Sequence, residues 1–120
     1  MALSEDFLNY VLDQFAQWGR VSARRMFGGA GLYREGKMFG LIAADVAYLK
    51  VDDSNRNAFV KAGSSPFNPH PGRAKKAVLS YYEIPPQVLE DRDELANWAQ
   101  RSLEIQAGMV RRPAQIRRKR

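Results

Sequence analysis

His70 is the sole histidine of the 120 residues and stands between Pro69 and Pro71. A general base needs an orienting partner and a nucleophile or water within hydrogen-bond reach, and no neighbouring motif supplies either. The chain has no cysteine, which removes thiolate metal sites, cysteine nucleophiles and structural disulfides, and a lone histidine does not make a zinc site. Carboxylates gather at Asp52 and Asp53 and again at Glu90, Asp91, Asp93 and Glu94. Both groups fall at expected helix starts, where acidic side chains cap free amides and complement the helix dipole, and neither has the spacing of a calcium loop. These residue types carry no recognisable catalytic apparatus, and neither a cofactor nor a metal is expected.

The residues left with something to recognise are basic, glycine-rich or aromatic. Gly28, Gly29 and Gly31 surround Ala30 in a cluster that could cradle a phosphate with backbone amides. A strand and not a helix is expected to follow, and the P-loop and dinucleotide spacings are both absent, so a tight turn or bulge is the plainer reading. Arg24 and Arg25 precede this turn. Neighbours in a strand face opposite ways, so one of them is expected on the solvated face; Arg25 falls in step with Val21, Ala23 and Phe27, partly buried against a carboxylate. Together with His70 and the three glycines, these arginines form the candidate interaction surface. Tyr33, Phe39, Tyr48, Tyr81 and Tyr82 suit either a stacking surface or cross-strand packing, with Tyr81 and Tyr82 on opposite faces.

A run of short elements must position these residues. Ser4 caps a first helix whose apolar face is Phe7, Leu8, Val11, Leu12, Phe15 and Trp18, with Gly19 as its left-handed stop. Strands are expected at Val21 to Phe27, Gly31 to Arg34, Lys37 to Ala43 and Val46 to Val51, joined by links too short for crossover helices and hence antiparallel. In the fourth strand Ala47, Leu49 and Val51 face the core. A short helix opens at Asp53 or Ser54, turns Ala58, Phe59 and Ala62 inward and closes at Gly63. A loop from Ser64 to Gly72 follows, then a fifth strand from about Lys75 to Tyr82, stopped by Pro85 and Pro86. The last helix has Asp91 and Glu94 at capping-box spacing, buries Leu95, Trp98, Ala99 and Leu103, and ends at Gly108. The order α-β-β-β-β-α-β-α gives an α+β fold: two layers, a mostly antiparallel five-stranded sheet flanked by helices.

Composition bounds the partners. The length suits one domain, residues 1–108, followed by a basic, disordered tail over residues 109–120. From Met1 to Gly108 there are 13 Lys+Arg and 13 Asp+Glu, so the net charge of +6 resides in Arg111, Arg112, Arg117, Arg118, Lys119 and Arg120. Those six form a candidate polyanion-binding set for weak, salt-sensitive contact with nucleic acid, with a solubilising end as the equal alternative. No apolar run reaches the ~20 residues of a membrane span, and the N-terminus lacks the basic start and apolar stretch of a signal peptide, so a cytoplasmic location without membrane contact is expected. A monomer and a homodimer are both compatible with these features.

The string Arg24-Arg25-Met26-Phe27-Gly28-Gly29-Ala30-Gly31-Leu32-Tyr33, followed by Gly36-Lys37-Met38-Phe39, resembles the opening of the TfoX (Sxy) N-terminal domain family. Further matches come in order: Tyr48-Leu49-Lys50-Val51-Asp52, Asn55, Phe59, Gly63, Pro66-Phe67, Tyr81-Tyr82-Glu83-Ile84-Pro85, Val88-Leu89-Glu90-Asp91 and Leu95 through Trp98-Ala99. The resemblance implies a fold similar to that of small secretion chaperones. It also implies a regulatory, protein-interaction role in bacterial competence, in which some members act with the cyclic-AMP receptor protein at promoters. The matching residues correspond to the N-terminal half of those regulators, and an arginine-rich end stands where they continue into a helical domain. The implied partner is a protein, within the transcription machinery, and the alternatives are nucleic-acid binding through the tail or a small-molecule site.

Overall fold

The Ser4 hydroxyl accepts a hydrogen bond from the Phe7 amide at 3.2 Å, and with Glu5 and Asp6 in the first turn it starts helix α1, Glu5–Phe15. The structure, a computed structural model, describes residues 3–26, 28–69 and 78–108. After α1 come β1 (Ser22–Met26), β2 (Gly29–Arg34), β3 (Lys37–Ala43), β4 (Val46–Lys50), α2 (Arg56–Lys61), β5 (Pro66–Phe67), β6 (Val78–Glu83), α3 (Pro86–Leu89) and α4 (Arg92–Gln106). The strands form one sheet in the order β1-β2-β3-β4-β6-β5, with every neighbouring pair antiparallel. This is the expected α+β arrangement, built on six strands and not five.

Two hairpins owe their register to left-handed turns. Glu35 (φ 54°) and Gly36 (φ 78°) join β2 to β3, and Ala44 (φ 51°) and Asp45 (φ 58°) join β3 to β4. Paired positive φ values match the right-handed twist of the flanking strands. Alanine supplies no side-chain hydrogen bond to offset its left-handed cost.

Between these turns β3 departs from simple alternation. Leu32 pairs with Gly40, but Tyr33 pairs with Met38, so Phe39 is the extra residue of a bulge. Phe39 and Gly40 consequently both face the helices. Gly40 has no room for a side chain, since a Cβ there would stand 2.5 Å from the Tyr48 carbonyl oxygen. Phe39 is fully buried, edge-on to Phe15 at 5.3 Å and to Trp18 at 5.1 Å between ring centroids. Apolar residues of all four helices converge on this layer: Leu8, Val11 and Phe15 of α1, Phe59 of α2, Val88 of α3, and Leu95, Ala99 and Leu103 of α4 join Leu32, Ile42, Ala47, Leu49 and Tyr82 of the sheet. Gln14 fixes the two ends of the chain together, its Nε2 donating to the Leu89 carbonyl at 2.9 Å and its Oε1 accepting from Arg92 Nε at 3.2 Å.

Several boundaries differ from expectation for local reasons. Gly19 is not a left-handed cap: α1 ends at Ala16, and the space beside Gly19 is taken by the Arg34 guanidinium, which stacks on Trp18 at 4.3 Å and lies 2.6 Å from where a Cβ would stand. Gly63 (φ 81°) and Gly108 (φ 78°) do adopt the left-handed conformation behind their helices. Helix α2 begins only at Arg56 because the Asp52 carboxylate accepts from Ser54 N and Oγ at 2.8 and 2.6 Å, holding those residues in a turn. Ala58 is exposed on it. The loop from Ser64 contains β5, and Pro86 begins α3 after Ile84 and Pro85, a proline at the first helical position. Asp91 caps α4 as expected, accepting from the Asp93 and Glu94 amides, both at 3.1 Å. Phe27, His70, the strand start at Lys75 and the six tail cations lie outside the described residues.

Replacing Phe39 by alanine is expected to cost about 3–5 kcal/mol through lost burial and the cavity it leaves. Conversely Ala44→Gly is expected to stabilise the fold by up to about 1 kcal/mol, because it relieves a left-handed alanine. Urea unfolding followed by far-ultraviolet circular dichroism checks both.

Candidate interaction face of the sheet

Alternation sends the remaining side chains to the side of the sheet away from the helices. One row crosses five strands: Arg24 pairs with Gly31, Gly31 with Leu41, Leu41 with Tyr48, and Tyr48 with Glu83. Beside it Tyr33 pairs with Met38 and Lys50 with Tyr81. Phe67 of the edge strand meets Tyr48 edge-on, 4.9 Å between centroids. Tyr33, Tyr48, Phe67 and Tyr81 are all half-buried, as are Met26 and Met38. Among the described residues the buried cluster to which all four helices contribute lies in the opposite layer.

Two cations are laid over its rings. The Arg24 guanidinium carbon stands 4.9 Å from the Tyr33 centroid and Lys50 Nζ stands 5.1 Å from that of Tyr81, distances at which the ring quadrupole attracts a cation. Burial raises the Tyr48 hydroxyl above the ordinary tyrosine value, and the nearby Glu83 charge raises it further. Tyr81 is raised first by burial and then by Tyr33.

The two arginines before the glycines separate as strand geometry requires. Arg24 is on the helix-free face, whereas Arg25 turns to the other side and pairs with Glu5 of α1. That pair is exposed and not buried, the side chains retaining 56% and 66% of their accessible surface, so it contributes only about 0–1 kcal/mol. Gly28 (φ 78°) lies in the hairpin turn ahead of β2, and Gly29 and Gly31 are in the strand itself. A Cβ on Gly29 would sit 2.1 Å from the Ile42 carbonyl oxygen. On Gly31 it would press, at 3.0 to 3.2 Å, on Met26, Tyr33 and Met38. These glycines accommodate neighbours, and no helix N-terminus follows them to hold an anion. Tyr82 and Phe39 face the core, leaving Tyr33, Tyr48 and Tyr81 of the five aromatic candidates on the helix-free face. Met26, Met38, Leu41 and Phe67 complete that face and were not marked by sequence, since each reads equally well as core.

A groove of about 880 Å³ opens elsewhere, beside the C-terminal end of α4, with Asp52, Asp53, Arg56 and Ser80 in its wall. Its carboxylates are already engaged, Asp52 with Ser54 and Asp53 with Arg56. Among the described residues no three acidic or histidine side chains converge as a metal site. Among them, too, no helix is long and apolar enough to cross a membrane.

The TfoX N-terminal domain matches residues 13–106, from the end of α1 to the end of α4 and so the whole sheet. The chain belongs to the TfoX N-terminal domain family. It is 30% identical over 82 residues to the DNA transformation protein TfoX1 of Aliivibrio fischeri (strain ATCC 700601 / ES114), a match covering 68% of this chain and 37% of that relative. The shared part is thus a little over a third of the relative's length.

The raised tyrosines give this TfoX domain a defined alkaline response. Their folded pKa values lie above the unfolded value of about 10, so their contribution to stability is fully present below that pH and is lost as pH rises through the folded values. Absorbance titration near 295 nm should show two tyrosines ionising late. Glu83→Gln should bring Tyr48 part of the way back, since burial is the larger cause.

Proposed function

We propose that the chain is a non-enzymatic regulatory module of the competence-related TfoX family that works by docking a protein on the helix-free face of its sheet. The observation that carries this reading is the composition of that face. Tyrosine, methionine and arginine are the residue types enriched in protein interfaces, and here three tyrosines, two methionines and Arg24 stand together with Leu41 and Phe67. Hot spots cluster around such aromatic anchors, and rings already held by neighbours lose little entropy on binding. Among the described residues the groove beside α4 offers two carboxylates, both engaged by neighbouring side chains, an arrangement suited to recognition more than to turnover. The name of the relative, a DNA transformation protein, and the family's competence regulators together support a role in DNA uptake, exerted from the cytoplasm on a partner in the transcription machinery.

Deletion of the coding sequence in the bacterium that carries it should lower natural transformation, with a matching fall in transcripts of DNA-uptake genes. Complementation by Tyr48→Asp or Met38→Asp should fail while the purified variants keep the circular dichroism spectrum of the parent. Arg101→Glu on the helical side should complement fully. Full complementation by both face variants would refute the assignment.

A further inference from the structure

The charges of the described residues are divided unevenly. The segment from Gly19 to Lys37, which carries β1 and β2, has five cations and one carboxylate, an excess of four positive charges. The other described residues carry five cations and twelve carboxylates. Among the described residues of the helix-free face Arg24 and Lys50 are the cations and Glu83 the anion, with an apolar and aromatic group between them.

We infer that the partner segment seated on this face is acidic, with apolar anchors flanked by aspartate or glutamate. This rests on the docking reading above and names the chemistry of the docked segment. The rings, Met26 and Met38 would receive the anchors; methionines adapt to irregular apolar side chains more readily than branched residues do. Arg24 and Lys50, each held over a ring that contributes no hydrogen-bond acceptor through its face, keep donors free for carboxylates, and Arg24 suits a bidentate contact. Of the five cations between Gly19 and Lys37, Arg24 is the one in register on this face; with Lys50 it outweighs Glu83 there, which favours an acidic segment over a basic one. Single-stranded nucleic acid also stacks on open sheets, but binding proteins track its backbone with a continuous run of cations. Among the described residues, two cations opposed by Glu83 do not form such a run.

Selection of random 16-residue peptides displayed on phage against the immobilised full chain tests the inference, with (dT)20 as the nucleic-acid probe and light scattering as the probe of self-association. The peptides recovered should be enriched in Asp and Glu beside Phe, Leu or Trp. Their affinity should fall at least tenfold for Arg24→Glu/Lys50→Glu and severalfold between 50 and 500 mM NaCl, and selection against that double variant should turn toward Lys and Arg. Neutral or basic peptides that still lose affinity on Tyr48→Asp would overturn the acidic partner while leaving docking on the face intact. Peptides indifferent to every face substitution, or none recovered, would overturn both. Tighter binding of (dT)20, weakened by the same double substitution, would assign the face to nucleic acid instead. Self-association abolished by the double substitution would assign it to a second copy of the chain.

Discussion

One extra residue in β3 organises the molecule. In an unbroken strand Phe39 would stand beside Leu41, on the side away from the helices; the bulge turns it into the core, where it meets Phe15 and Trp18. This contact holds the first helix to the middle of the sheet, and Gly40 next to it lets the β4 backbone come close, where a Cβ would meet the Tyr48 carbonyl oxygen. The bulge also restores alternation on its far side, so that Met38 and Tyr33 remain together on the opposite face. A single backbone irregularity thus defines both layers, supplying the core with a ring and the open face with a pair.

The open face follows from that division. A sheet with all its helices on one side must leave the other side to solvent or to something else, and most one-sided antiparallel sheets make the solvated side polar. Here it has four half-buried rings and two methionines, with Leu41 almost fully covered among them. The cations Arg24 and Lys50 on it stand over rings. Such a surface is already partly desolvated and partly ordered, and both properties reduce what association must overcome.

Period-two patterning and turn chemistry made much of this legible before any coordinates. Lys37–Ala43 has the expected limits; Ala47, Leu49 and Val51 are buried together as their alternation requires; Tyr81 and Tyr82 part to opposite faces; Asp91 caps its helix. The elements that escaped are those created by tertiary contact. Pro66–Phe67 is a strand only because β6 lies beside it, and α3 is four residues long behind a proline pair that reads equally well as a simple stop. The bulge has no local signature, so Met38 could not be separated from Phe39 by pattern. Nor could sequence say that Gly19 makes room for Arg34 and does not end the helix. The face was half visible: Arg24, Tyr33, Tyr48 and Tyr81 were among the candidates, but apolar residues on an open face and in a core look alike until the helices are placed.

The closure of the helical layer has a consequence for how the chain is made. Phe15 of the first helix is covered in part by a layer that includes Leu95, Ala99 and Leu103 of the last, about 80 residues later in the chain. At translation speeds of ~5–20 residues per second, the aromatic stripe of α1 is made roughly 4–16 s before α4 exists to shield it. During that interval the ribosome carries a sticky amphipathic helix on a half-built sheet. The aromatic stripe thus stays open to water until α4 is made, and slower translation between β6 and α4 would lengthen that exposure.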